Sequence, residues 1–436
     1  MKIPPVKGTR DFYPPDMKVR NFIIDGWKKV SLRNGFEEYD GPIFEYLKMF
    51  QIKSGDEIVE QLFSLKDRGG RDLAIRPEIT PTLARMVNQQ INSLPRPIKW
   101  FSVPRLCRAE RPQKGRLREF FQWNIDIIGV DDVLADAEVI FCALDYLSDV
   151  GLTPDDIVVK ISSRKMLAAV LKEIGVGQKN LDSLYAVLDK KDRLPAKTFA
   201  EMLNKQLPDS RMAGKVREFM ELKTISQVEN MFGHQEAIDE LAILHDWLNR
   251  MNVGDYCKFD PSIVRGLAYY TGIVYEIHAK AGSLRAIGGG GRYDNLLSQF
   301  GGPDITATGF GIGDCILAIL LEEKGLLKSE PKGLDYFIAY VPNITFDNKD
   351  GTVKSTPEDE AVKLTTKLRR LGFKTDSNYY KSMSLGKQLR EASIRNATKC
   401  IIIGDELKDG KLVVKDMSTG RQELVSVDKF LSQPKS

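Results

Sequence analysis

Residues 105–126, Arg-Leu-Cys-Arg-Ala-Glu-Arg-Pro-Gln-Lys-Gly-Arg-Leu-Arg-Glu-Phe-Phe-Gln-Trp-Asn-Ile-Asp, constrain the fold more than any other stretch of this chain. They predict two strands joined by a basic loop, and period-two alternation divides the second strand between two faces. Phe121, Trp123, Ile125 and Ile127 share one face and are expected in a core. Arg118, Phe120, Gln122, Asn124 and Asp126 share the other, and Arg108 and Glu110 have matching parity on the first strand. Buried polar groups need partners. A ligand with phosphates, a flat base and an amino group would supply them. The plainer account is an Arg/Glu ladder between strands at the surface.

A sheet of this kind needs a large core, and 436 residues with 42% hydrophobic content provide for two or three domains. Lys plus Arg number 64 against 60 for Asp plus Glu, a net charge of +4, so a nucleic-acid partner is allowed without being demanded. Cys107, Cys142, Cys257, Cys315 and Cys400 form no CxxC pair, which argues against a zinc site or a disulfide framework. Neither a signal-peptide core nor an 18-residue apolar run is found, so a soluble, reducing, cytoplasmic setting away from membranes is expected. The three histidines, 234, 245 and 278, are expected near no other candidate catalytic group, and chemistry based on a protein His base is not expected.

Along the chain, Asp16 is expected to cap a helix with apolar residues Val19, Phe22, Ile23, Trp27 and Val30, ended by Gly35. An extended segment, 36–44, carries Pro42 and suits an edge or interface. Thr80 and Pro81 read as N-cap and first residue of a helix to about Asn88. Residues 131–150 read as helix, and 151–256 as an inserted helical module. Strand signals resume at Ile263 and run through His278. After a linker at 322–333, alternating strands and helices predict a mixed α/β domain over 333–436.

Three further segments carry polar groups in unusual settings. Arg265-Gly-Leu-Ala-Tyr-Tyr-Thr-Gly272 sets a guanidinium near two phenols, Gly288–Gly291 precede Arg292-Tyr293, and Arg76-Pro-Glu-Ile-Thr80 opens a helix. The plainer readings are a core aromatic pair, a flexible hairpin turn and simple capping. There is no GxxxxGK[ST] loop, so a nucleotide would be held by side chains, with Arg on phosphate and an aromatic on the base. Glu78 and Asp126 suit an ammonium group. Together these segments point to an ATP-dependent activator of a small amino compound, working by positioning and charge stabilisation.

On these residues the sequence resembles the histidyl-tRNA synthetases, class II aminoacyl-tRNA synthetases. Lys7-Gly-Thr-Arg-Asp-Phe-Tyr-Pro14, the passage to Pro42, Arg76-Pro-Glu, the hairpin with Glu-Arg-Pro-Gln-Lys-Gly-Arg, Arg265-Gly-Leu-Ala-Tyr-Tyr and Gly289-Gly-Gly-Arg-Tyr-Asp carry the likeness. The resemblance implies an α/β (α+β) fold. It comprises an antiparallel-sheet catalytic domain (1–150 and 257–328), the helical insertion (151–256) and an anticodon-binding domain (333–436). It implies that Arg108 and Arg265 act at the α-phosphate, Glu110 reads the adenine edge, Phe120 stacks on it and Arg118 joins the ATP site. Glu78, Ile79, Thr80, Arg108, Gln122 and Arg265 would surround the substrate histidine. Asp126, Tyr269, Tyr270, Tyr293, Gly289 and Gly290 would complete its pocket. Arg111, Gln113, Lys114 and Arg116 would meet the acceptor end of tRNA(His). ATP, Mg²⁺ on its phosphates, L-histidine and a homodimer follow from the same likeness.

Departures stand at Ala268, where the family has Asp, and at Cys315 and Ile316, where it has an acid and an arginine that grips the outer phosphates of ATP. Asp126 stands where many relatives carry Glu. Another cation, Lys114, Arg116 or Arg292, is expected to cover those phosphates. The competing function is a regulatory subunit of ATP phosphoribosyltransferase that binds histidine without acylating tRNA. Such regulators generally lack a counterpart of 333–436, which argues against it.

Overall fold

The computed structural model describes residues 3–51, 62–177, 180–191, 194–207, 209–264, 270–282, 284–327, 333–347, 352–380 and 383–432. The chain divides into two units, Met1–Lys328 and Ser329–Ser436, close to the expected break at 333. The first is built on a nine-stranded, mostly antiparallel sheet. Its strands are β1 (Glu37–Glu38), β5 (Ile98–Ser102), β7 (Glu119–Ile128), β12 (Ala307–Gly313), β11 (Gly288–Tyr293), β10 (Ile273–Ala279), β8 (Ile157–Ser163) and β9 (Cys257–Phe259) in spatial order, with β6 (Arg105–Cys107) beside β7. A separate three-stranded sheet orders β2 (Phe44–Tyr46), β4 (Asp72–Ile75) and β3 (Phe63–Lys66).

The alternation in β7 sets the layers. Trp123, Ile125 and Ile127 point into the core, and Trp123 stacks on Trp27 of the helix Pro14–Arg33 with ring centroids 6.0 Å apart. Phe121 is only half-buried, because it meets Phe12 and the Arg105 guanidinium at the sheet edge. Burying the indole N–H requires a partner, and Trp123 Nε1 donates to Ser31 Oγ at 2.8 Å, which donates in turn to Trp27 O.

Helix ends follow local chemistry with two corrections. Asp16 is not the N-cap of Pro14–Arg33. It sits in the first turn, where Oδ2 accepts the Tyr13 N–H at 3.1 Å, and Pro14 opens the helix with its preset φ. Thr80 is the first residue of the helix Thr80–Gln90 after Ile79, and its hydroxyl caps nothing. Gly35 ends the first helix at φ +78°, as expected.

The stretch expected as a wholly helical module from 151 begins instead with β8, whose β-branched run Ile157-Val-Val joins the main sheet between β10 and β9. Helices then occupy Arg164–Ile174 through Glu236–Arg250. The strand expected from Ile263 starts at Ile273, and the short β9 precedes it.

In the second unit β16 (Thr375–Ser377), β13 (Tyr336–Tyr340), β17 (Lys399–Ile403), β18 (Lys411–Asp416) and β19 (Gln422–Ser426) form one sheet. The helices Pro357–Arg370, Leu385–Ile394 and Val427–Ser432 accompany it. The pair β14 (Phe346–Asp347) and β15 (Val353–Ser355) and the strand β19 escape sequence reading, being short or mostly exposed. No described helix is long and apolar enough to cross a membrane.

Candidate active site

The polar face of β7 floors two adjoining cavities of about 740 and 280 Å³, which share Arg108, Gln122, Glu276, Ala286, Gly288 and Gly311. Glycines make the room. A Cβ on Gly309 would stand 2.2 Å from Asp126 Oδ1, and one on Gly311 2.8 Å from the Gln122 amide. The run Gly288–Gly291 is not a hairpin turn but part of β11, and a Cβ on Gly290 would stand 2.1 Å from the Gly309 carbonyl oxygen. Side chains there would push the strands apart and fill the smaller cavity.

The smaller cavity is lined by Glu78, Thr80, Asn124, Asp126, Tyr270, Gly289, Gly290 and Tyr293 as well as the shared residues. Asp126 is buried, and Tyr293 Oη donates to its Oδ1 at 2.6 Å. Its Oδ2 is buried without a hydrogen-bond partner among the described residues. Desolvation pushes this carboxyl up to about 7, and the Tyr293 hydroxyl opposes the shift. A half-satisfied buried carboxylate is costly unless a ligand supplies the second donor. An imidazole N–H or an ammonium group would.

The larger cavity is lined by Arg108, Glu110, Arg116, Phe120, Gln122, Glu276, His278, Arg285, Cys315 and Ile316 among others. Arg108 donates from Nε to Pro77 O at 3.0 Å and its guanidinium lies 5.2 Å from the centre of the Phe120 ring. This bond to a backbone carbonyl helps to fix the guanidinium on the cavity wall, and a guanidinium can give charge-assisted hydrogen bonds to an anion. Glu110 is held in an ion pair with Arg116. Burial, then the neighbouring Asp314 charge, pushes the Cys315 thiol up to about 12, so it is no nucleophile at neutral pH.

The remaining expected residues fall elsewhere. Ile79 is fully buried in a core cluster with Leu83 and Val87. Arg118 braces the hairpin, donating to the carbonyls of Glu110 and Lys7, and lines neither cavity. Gln113 and Lys114 line a separate hollow with Arg10 and Asp314, Lys114 pairs with Glu323 at 3.2 Å, and Arg111 is exposed. Arg292, one of the cations expected for the outer phosphates, is buried against Asp136 and bonded to Val130 O and Thr306 Oγ1, so it holds the fold instead. Arg265, Ala268 and Tyr269 lie outside the described residues.

Two site groups escaped sequence reading. His278 Nε2 lies 2.9 Å from Glu276 Oε2, and both line the larger cavity, so this histidine does stand beside a candidate group. Their shared parity on β10 is the signal that could have found them.

The chain matches the family model described as "Histidyl-tRNA synthetase" over residues 8–313 and that described as "Anticodon binding domain" over 344–435. It is 38% identical over 420 residues to the chloroplastic/mitochondrial histidine–tRNA ligase of Arabidopsis thaliana, covering 96% of this chain and 84% of that one. It is 36% identical over 441 residues to the histidine–tRNA ligase of Pyrococcus horikoshii, covering 99% of this chain and 98% of that one. In fold it resembles histidyl-tRNA synthetase from Nostoc sp. PCC 7120, with a TM-score of 0.80, 22% identity and full coverage of both chains. It also resembles a Bacillus halodurans protein described as "ATP phosphoribosyltransferase regulatory subunit/histidyl-tRNA synthetase". That match has a TM-score of 0.76 and 23% identity, covering 93% of this chain and 99% of that one.

Proposed function

The chain belongs to the histidyl-tRNA synthetase family, and from that premise we propose that it is a histidine–tRNA ligase. A carboxylate oxygen of L-histidine attacks the α-phosphorus of ATP, the bond to the β-phosphate oxygen breaks and pyrophosphate leaves. The histidyl group then passes to the 3′ end of tRNA(His), releasing AMP. The observation that carries this reading is the half-satisfied Asp126, held by Tyr293 in a cavity that opens directly into the larger, arginine-bearing one.

In this reading Asp126 and Tyr270 read the imidazole, while Glu78, Thr80 and Gln122 hold the α-amino group. Arg108 meets the α-phosphate, Phe120 stacks on the adenine and Glu110, still paired with Arg116, accepts from its amino edge. Arg265 keeps the phosphate role implied by the family likeness. This reading assigns no proton-abstracting role to a protein side chain. Acceleration comes from holding carboxylate and phosphorus in line and neutralising charge as it develops.

Mg²⁺ would accompany the outer phosphates, as the family likeness implies. Among the described residues, the one group of three potential ligands is Glu229, His234 and Asp239, which lines neither cavity. An ion held mainly by phosphate oxygens and water needs no protein cage.

The hairpin loop with Arg111, Gln113, Lys114 and Arg116 is assigned to the tRNA acceptor end, and the second unit to the anticodon. A homodimer is supported by the exposed apolar side chains Phe44, Tyr46 and Leu65 on the three-stranded sheet and Ile43 just before it. The regulatory alternative is not set aside by the presence of a second unit, because the Bacillus halodurans protein matches 93% of this chain. Histidine-dependent exchange of labelled pyrophosphate into ATP separates the two. A ligase exchanges, and a chain that binds histidine without exchange is the regulator.

A further inference from the structure

Among the described residues, Arg108, Arg116, Lys160 and Arg285 are the Lys and Arg side chains lining the larger cavity. Arg108 is anchored to Pro77 O, Arg116 is paired with Glu110, and Lys160 lies 2.9 Å from Asp260. Arg285 differs. It is exposed and, among the described residues, makes no hydrogen bond or ion pair.

Its place in the fold is defined by the sheet. Arg285 stands on the connection from β10 to β11, just before Ile287, whose carbonyl accepts the Gly313 N–H at 3.3 Å. That bond ties the connection to the turn entering the helix Asp314–Glu323, and Gly288 is in register with Ile312. Arg285 therefore lines the cavity together with Gly313, Cys315 and Ile316. The first turn of that helix brings no cation of its own. Asp314 is occupied by Arg10 at 2.6 Å and by the Phe121 N–H at 3.0 Å, Cys315 is a neutral thiol, and Ile316 packs toward Gly115.

We propose that Arg285 binds the outer phosphates of the nucleotide, which leave as pyrophosphate. This rests on the ATP-dependent reading of the cleft. With Phe120 and Glu110 at the base and Arg108 at the α-phosphate, a triphosphate tail needs cationic charge farther along the same cavity. A guanidinium not already committed to a carboxylate can give two parallel N–H bonds to phosphate oxygens without breaking an internal pair. It acts as a positioning residue from a loop, where the adjoining helix carries isoleucine.

The test compares ATP and AMP binding to the full chain by calorimetry, for the parent and for Arg285→Ala and Arg285→Lys. Losing a charge-assisted contact should weaken ATP by about tenfold to a hundredfold, with AMP unchanged and the lysine variant partly restored. In pyrophosphate exchange, KM for ATP should rise similarly while KM for histidine stays put. Unchanged ATP affinity in Arg285→Ala, or an equal loss for AMP, overturns the assignment. A parent chain that binds ATP yet shows no histidine-dependent exchange defeats the ligase reading while the ATP–AMP comparison still decides Arg285. A parent chain that binds no ATP overturns both.

Discussion

Asp126 is the residue proposed to select the amino acid. Its carboxyl is pushed up to about 7 from the ordinary 3.8, chiefly by desolvation. Between about pH 4 and 7 the folded chain therefore holds a proton that the unfolded chain has released. Its contribution to ligand-free stability is full below that window, falls as pH rises through it and is lost above about 7. Asp126→Asn should flatten this part of the profile, raise ligand-free stability at pH 8 and weaken histidine binding by about tenfold or more. Urea unfolding at pH 5 and 8, with histidine titration, checks it, and an unchanged slope with unchanged affinity would remove Asp126 from the pocket. The facing of Asp126 was legible because alternation needs only neighbouring residues. Arg292 was not legible, since its partner Asp136 is 156 residues away and only the folded sheet brings them together.

At the scale of elements, long amphipathic helices and β7 could be read from their periods, whereas the glycine run of β11 could not. Glycine carries no side-chain period, and the close approach of β10, β11 and β12 that demands it is a property of three strands at once. The sheet of β2, β3 and β4 exposes Phe44 and Tyr46, apolar surface of the kind a second copy would cover. The segment through Pro42 was expected at such an interface. Phe44→Asp with Tyr46→Asp should convert a dimer to monomer in sedimentation at micromolar concentration. A parent that sediments as a monomer, or a variant that stays dimeric, contradicts the dimer surface.

At the scale of the molecule, the two units have separate cores, Tyr336, Ile338 and Leu368 belonging to that of the second unit. Removing residues 330–436 should leave histidine-dependent exchange within about twofold and reduce tRNA charging by about a hundredfold or more, the scale of several lost phosphate and base contacts. Equal charging by the shortened chain would contradict the anticodon assignment. The boundary was legible from the Gly- and Lys-rich linker and the change in pattern beyond it. The edge of the helical module was not, because β8 is sequence-adjacent to helices but pairs with β10, more than a hundred residues on.

We propose that one continuous cleft seats histidine at Asp126 and ATP along Arg108, Phe120 and Glu110. Exchange of labelled pyrophosphate into ATP by the full chain, with and without L-histidine, tests it most directly. The expected result is exchange that needs histidine and is not supported by other amino acids. No exchange at millimolar ATP and histidine, or exchange indifferent to the amino acid supplied, would contradict it.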